Sequence, residues 1–131
     1  MTLWVPLVAL LSHGVLFTDE ALREDERLFV VVLGKVYDVS ASPSFYGAGA
    51  PYEGFANGDA SRAFLTADFA ADGTSDVSGL TPRECAGLES WQRLYDDKYE
   101  HVGWHVGRFY DDAGEPTVAY AAWRACADDD T

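Results

Sequence analysis

The chain predicts an α+β domain in which a small mixed sheet is backed by helices. Three observations carry that expectation. An apolar run passes through a Gly-Lys pair into an alternating run, a long amphipathic segment follows a strong helix start, and a strand-like stretch between glycines comes late. The 131 residues suit one domain, long enough to bury a core without disulfides or structural metals. A hydrophobic content of 48% argues for folding even though 22 acidic residues against 9 basic ones leave a formal charge of −13. Such acidity repels phosphate backbones and anionic lipid, which excludes nucleic acid as a partner and leaves a basic protein surface as the macromolecule that would be attracted.

Residues 1–16 open with an apolar run too short for a membrane span and lacking the basic start of a signal peptide, so they read as the remnant of an anchor or signal. The membrane would then be met only through such an anchor. Thr18 caps a short helix with Asp19 and Glu20 in its first turn, and Phe17 is spaced to staple onto Leu22. Leu28 to Leu33 reads as a strand that turns at Gly34-Lys35 into Val36 to Val39. Being apolar on both faces, its first arm is expected inside the sheet. Asp59 is placed to cap a helix over residues 60–69, with Arg62 pairing to an acid near its start, and AADGTSDVSG reads as a surface loop.

Thr81-Pro82-Arg83-Glu84 is a capping box with proline in the first turn and opens a helix reaching about Tyr99. Cys85, Leu88, Trp91, Tyr95 and Tyr99 recur along one face of it, a stripe read as core. A strand is expected around Val102 to Phe109, and a last helix over residues 119–127 has Trp123 as its anchor before an acidic tail.

The chemistry-bearing residues are few. Cys85 and Cys126 fit no metal-ligand spacing and fall on two expected helices, which reads as two small thiols rather than a bridge. His101 and His105 stand four apart, but Gly103 between them weakens a helix and the one other histidine is His13, so both read as surface or packing residues rather than a zinc pair. No serine or cysteine stands in a nucleophile elbow, and no enzyme is expected. The stretch that stands out is Phe45 to Arg62, FYGAGAPYEGFANGDASR, where Phe45, Tyr46, Tyr52 and Phe55 lie among glycines. A loop of this kind can cover a planar ligand.

The run FYGxGxPYxxFAxxDASRA, with LGKVYDVS before it and KYxHVG after it, resembles the membrane-associated progesterone receptor family of cytochrome b5-like haem/steroid-binding domains. The resemblance covers about Phe17 to Thr117 and gives domain bounds of 17–118, followed by a C-terminal helix and acidic tail over 119–131. It implies the cytochrome b5-like fold, with helices forming a ligand pocket on one side of the sheet, and non-covalent ferric haem b as cofactor. No histidine lies between His13 and His101, so the first histidine of a bis-histidine site is missing. The resemblance puts Tyr52 at the axial-ligand position instead, with Tyr46, Lys98 and Tyr99 at positions that support the haem or its ligand, Lys98 towards a propionate. An anionic oxygen on iron favours the ferric state and lowers the potential, which suits binding or sensing better than electron relay.

The resemblance therefore implies a haem-binding regulatory or signalling module first, a steroid- or lipid-binding interaction domain without stable haem second, and a b5-type electron carrier third. Cytochrome P450 enzymes are the partners it suggests, and the endomembrane system or the exterior the address. Asn57-Gly58 departs from the Gly-Arg common in the family and removes a positive charge near the pocket rim.

Overall fold

The computed structural model describes residues 14–129. The apolar N-terminal segment before residue 14, with His13, and Asp130 of the acidic tail lie outside the described residues. Four strands form one mixed sheet: β1 (Leu16–Phe17), β2 (Phe29–Val32), β3 (Lys35–Asp38) and β4 (Glu100–His105), in the order β1-β4-β3-β2. The terminal strand β1 runs parallel to β4, and the other pairs are antiparallel. Among the described residues five α-helices accompany them: α1 (Asp19–Glu24), α2 (Pro43–Tyr46), α3 (Phe69–Asp72), α4 (Pro82–Lys98) and α5 (Val118–Ala127). No helix among the described residues is long and apolar enough to cross a membrane.

The sheet separates two apolar clusters. On one side Phe29, Val31 and Val36 meet Phe17 and Leu22 beneath α1, where the Thr18 hydroxyl accepts from the Ala21 amide, as the staple and cap predict. On the other side Val30, Val32, Tyr37 and Val39 meet α4, α5 and the aromatic loop. Successive residues of β2 thus point into different clusters, and all four are buried.

That double burial does not put β2 inside the sheet. It is an edge strand, and it stays dry because residues 56–59 cover its free edge. Val30 bridges to Ala56 and Val31 to Asp59, while Asn57 gives its amide to the Phe29 carbonyl (2.7 Å) and accepts the Phe29 amide on Oδ1 (3.1 Å). Asn57 does this with φ at 60°, a left-handed conformation that asparagine tolerates well. An edge closed in this way looks, from its sequence, like a central strand.

The hairpin turn is also displaced by one residue from expectation. Leu33 and Gly34 both have positive φ, 51° and 83°, as a two-residue turn matched to strand twist requires, and Lys35 begins β3. Gly34 is needed for a second reason, since a Cβ there would lie 2.6 Å from the Tyr110 ring.

The helix expected over residues 60–69 is broken into a 3-10 turn (Ser61–Phe64) and the short α3. Asp59 is not a cap. Its Oδ2 accepts the Gly34 amide (3.1 Å) and its Oδ1 accepts from the Ser61 amide and hydroxyl, while the Ser61 hydroxyl oxygen accepts the Leu33 amide (2.7 Å). The hairpin's two left-handed residues need partners for their amides, and that demand outweighs local helix propensity. Arg62 is structural, as expected, donating to the Asp76 and Ser78 carbonyls and pairing with Asp72. The segment read as a loop contributes its first residues to α3.

The capping box of α4 forms as read, with Thr81 and Glu84 exchanging hydrogen bonds. The two cysteines do not stay apart. Cys85 on α4 and Cys126 on α5 form a disulfide, their Cα atoms 5.9 Å apart. The helices approach because Trp123 is buried between them and donates from Nε1 to the Cys85 carbonyl (3.1 Å), with Arg124 reaching Glu89 (2.6 Å) beside it. That antiparallel docking could not be read from the separate helices. The late strand ends at His105, short of Phe109. Both histidines serve packing: His105 Nε2 meets Asp19 Oδ1 at 2.6 Å, and His101 sits edge-on to Trp104 with a bond to the Gly103 carbonyl (2.8 Å).

Candidate functional site

The last turns of α4 run beyond the cover of α5, and the aromatic loop faces them. Between the two lies a cleft of about 340 Å3 lined by Phe45, Tyr46, Tyr52, Phe55, Ala63, Phe64, Ala67, Trp91, Leu94, Tyr95, Lys98 and Tyr99. The volume falls at the lower end of the range for small-molecule sites, which suits a flat ligand that leaves an edge in solvent. The α4 stripe read as core is therefore divided. Cys85 and Leu88 belong to the core, whereas Trp91 and Tyr99 form cleft wall and Tyr95 belongs to both.

Local chemistry shapes the loop. Pro43 opens α2, which places Tyr46 inward, and the Gly47 amide returns to the Pro43 carbonyl (2.8 Å). The Tyr52 amide then closes onto the Phe45 carbonyl (2.8 Å), so the Phe45 and Tyr52 rings stack at 6.2 Å. After Tyr52 a 3-10 turn drops Phe55 into the floor, where it stacks on Phe64 at 4.2 Å with the Phe69 ring edge-on at 4.7 Å. Gly54 has no side chain because that Phe69 ring occupies the space a Cβ would need.

Four tyrosines meet in this cleft, and three have their hydroxyls engaged. Tyr46 and Tyr95 are hydrogen-bonded to one another at 2.6 Å, both buried, and the Tyr99 hydroxyl donates to Ser42 Oγ at 3.3 Å. The Tyr52 hydroxyl has no hydrogen-bond partner among the described residues, and the side chain is 44% exposed. Burial, and then the bond to Tyr95, push the Tyr46 phenol well above its ordinary ionisation range; burial does the same to Tyr95. Both remain neutral at physiological pH. Lys98 stands at the rim, exposed, its ammonium 5.7 Å from the Tyr99 ring and without an ion pair among the described residues.

All four residues singled out in the sequence, Tyr46, Tyr52, Lys98 and Tyr99, thus line one cleft. Phe45 and Phe55, named among the loop's aromatics, line it too, whereas sequence reasoning missed Tyr95, Trp91 and Phe64. For Tyr95 the signal was present in the four-residue spacing of Trp91, Tyr95 and Tyr99, but it matched a core stripe equally well.

The donors suit a flat ring carrying acidic substituents: aromatic walls, one unclaimed phenol and one unclaimed ammonium. Among the described residues no group of three His, Cys, Asp or Glu side chains could hold a metal ion by itself. A single phenol suits an iron already held by a macrocycle better than a bare ion.

With this architecture and cleft, the chain is one of the α+β domains that enclose a ligand between a sheet-bound helix and an aromatic loop. It belongs to the cytochrome b5-like haem/steroid binding domain family, which matches residues 18–104. Mouse neuferricin is 46% identical over 94 residues, 71% of this chain and 36% of that protein. The Arabidopsis thaliana membrane-associated progesterone-binding protein 4 is 41% identical over 101 residues, 76% of this chain and 40% of that protein. The chain thus spans well under half the length of these relatives. A solved Arabidopsis thaliana structure described as having a cytochrome b5 like fold superposes with a TM-score of 0.62 at 35% identity, covering 72% of this chain and 94% of that one.

Proposed function

We propose that this haem/steroid-binding domain is a regulatory module that holds ferric haem b non-covalently through the oxygen of Tyr52. The observation that carries the reading is that, of the four phenols in the cleft, Tyr52 alone has no intramolecular claim on its hydroxyl among the described residues. Bound ferric iron would supply the positive charge that displaces the Tyr52 phenol proton. Tyr52 would then offer a hard anionic oxygen, with Phe45 stacked on its ring and Phe55 and Phe64 excluding water from the floor. Tyr46 and Tyr99 support the ligand oxygen and the ring, and Lys98 is placed to meet an acidic substituent. An oxygen ligand of this kind stabilises the oxidised state, so the module is a binder or sensor and neither an enzyme nor an electron relay.

The test is a haemin titration of three proteins. Tyr52→Phe is expected to lose the phenolate-to-iron absorption and most ferric affinity, and Tyr46→Phe to keep the band with weaker binding. An unaltered ferric spectrum in Tyr52→Phe would overturn the ligand assignment.

A second reading is favoured by the cleft's modest volume and its mostly apolar walls: a rigid apolar polycycle such as a steroid, held without haem. Saturable progesterone binding by haem-free protein, unaffected by Tyr52→Phe, would select it. Two features bear on the setting. The Cys85–Cys126 bridge supports an oxidising compartment within or beyond the secretory pathway, and the charge of −13 supports a basic partner surface, as a cytochrome P450 could offer.

A further inference from the structure

Beneath Tyr52 the buried Tyr46–Tyr95 pair presents an unbalanced hydrogen-bond count. Two phenols carry two protons, and the 2.6 Å contact between them uses one, whichever oxygen donates. The second proton needs another acceptor. Phe55, Ala63, Phe64 and Leu94 offer none, and Tyr99 commits its own proton to Ser42. The remaining oxygens are those of Tyr99, edge-on to Tyr46 at 6.3 Å and already in hydrogen-bond reach of its hydroxyl, and of Tyr52, whose ring lies 6.2 Å from that of Tyr46. An oxygen that becomes anionic on binding a ligand outcompetes a neutral phenol for such a proton.

Tyr95 is the fixed member of the pair. Tyr37 at 5.6 Å, Phe64 edge-on at 5.6 Å and Tyr99 at 5.4 Å hold its ring, and it projects from the fourth turn of a capped helix. Tyr46 comes from a four-residue helix in the loop, and its ring neighbours Phe45, Tyr52 and Tyr99 lie farther off, at 6.2 to 6.4 Å.

We propose that Tyr95 is a positioning residue whose hydroxyl, by holding that of Tyr46, directs the pair's spare O–H towards the Tyr52 oxygen when that oxygen bears the ligand. The inference rests on the haem reading above. A hydrogen bond to a coordinating oxygen draws electron density from it, so the pair tunes how strongly Tyr52 donates to iron. Tyr95→Phe removes one oxygen and keeps every ring contact, which makes it the informative change.

Haemin is added to the unaltered protein, to Tyr95→Phe, to Tyr46→Phe and to the double variant, and the absorption band and haem dissociation rate are measured. Tyr95→Phe is expected to shift the phenolate-to-iron band to longer wavelength, because the phenolate becomes richer in electrons, and to speed dissociation about 3- to 10-fold, because an oxygen without that hydrogen bond is more basic and is protonated off the iron more readily. The double variant is expected to match Tyr46→Phe alone, since Tyr95 acts through Tyr46. A merely structural role would change melting of the haem-free protein without moving the band. If the unaltered protein takes haemin and Tyr95→Phe keeps its band and rate, or if the two substitutions add independently, this inference is overturned and the haem reading stands. If the unaltered protein takes no haemin, the haem reading falls and this inference with it.

Discussion

At the level of single residues, the cleft assigns its side chains unequal work because their surroundings differ. Tyr52 and Tyr46 are six residues apart and chemically identical, yet one side chain is exposed with its hydroxyl unclaimed among the described residues, while the other is buried with its hydroxyl against Tyr95. Lys98 matters less than its charge suggests. Its ammonium stands in water at the rim, so a contact to an acidic group on the ligand is screened and contributes about 0.5–1 kcal/mol. Lys98→Ala is therefore expected to weaken haemin binding about two- to fivefold at low salt, with the gap closing at high salt. Equal affinities for both proteins at low salt would show that the lysine meets no propionate. The identity of the cleft tyrosines was legible in the sequence because the loop carries a distinctive string of residues. Tyr95 was not legible, because a helix stripe reports which face is apolar and not where the covering sheet stops.

At the level of elements, α4 joins the two halves of the molecule: its first turns hold α5, and its last turns wall the cleft. The Cys85–Cys126 bridge closes a loop with a sequence separation of 41, which in the chain-entropy view is worth about 4 kcal/mol. The double variant Cys85→Ser/Cys126→Ser should lose stability of that order in urea unfolding. A loss below about 1 kcal/mol would mean that the packing of Trp123 alone fastens the helix. Arg124 beside Glu89 holds that carboxyl below the usual carboxylate range. Since the folded state favours the ionised form, this contribution is complete above the unfolded glutamate value of about 4.3 and is lost as pH falls through the lower folded value. With both side chains partly wet, it amounts to about 0.5–1 kcal/mol. Arg124→Gln should therefore destabilise the protein at pH 7 and have little effect at pH 3. An equal effect at both values would assign the arginine's role to its apolar stem instead. The helix starts at Thr18 and Thr81 were readable because capping is local chemistry. The helix expected after Asp59 failed to form because that carboxylate serves amides of the distant hairpin, a long-range demand that no local pattern records.

At the level of the whole molecule, an acidic chain carries an aromatic-walled cleft at one end of its longest helix, as befits a haem/steroid-binding domain. One feature of the fold bears on the solution behaviour of the protein. The four residues of β2, Phe-Val-Val-Val, would make an adhesive strand if their free edge were open, and that edge is closed by the end of the ligand loop, through Ala56, Asn57 and Asp59. The loop that receives the ligand is thus also what keeps one molecule from adding a strand to the next. Asn57→Ala, which removes the side-chain bond to Phe29 and disfavours the left-handed backbone, should shorten the lag of thioflavin-positive fibre growth on gentle heating. An unchanged lag would show that the bridges at Val30 and Val31 suffice. Because the same segment serves both purposes, occupancy of the cleft should lengthen the lag in the unaltered protein, so that a small molecule bound on one side of the loop protects the chain from self-assembly on the other.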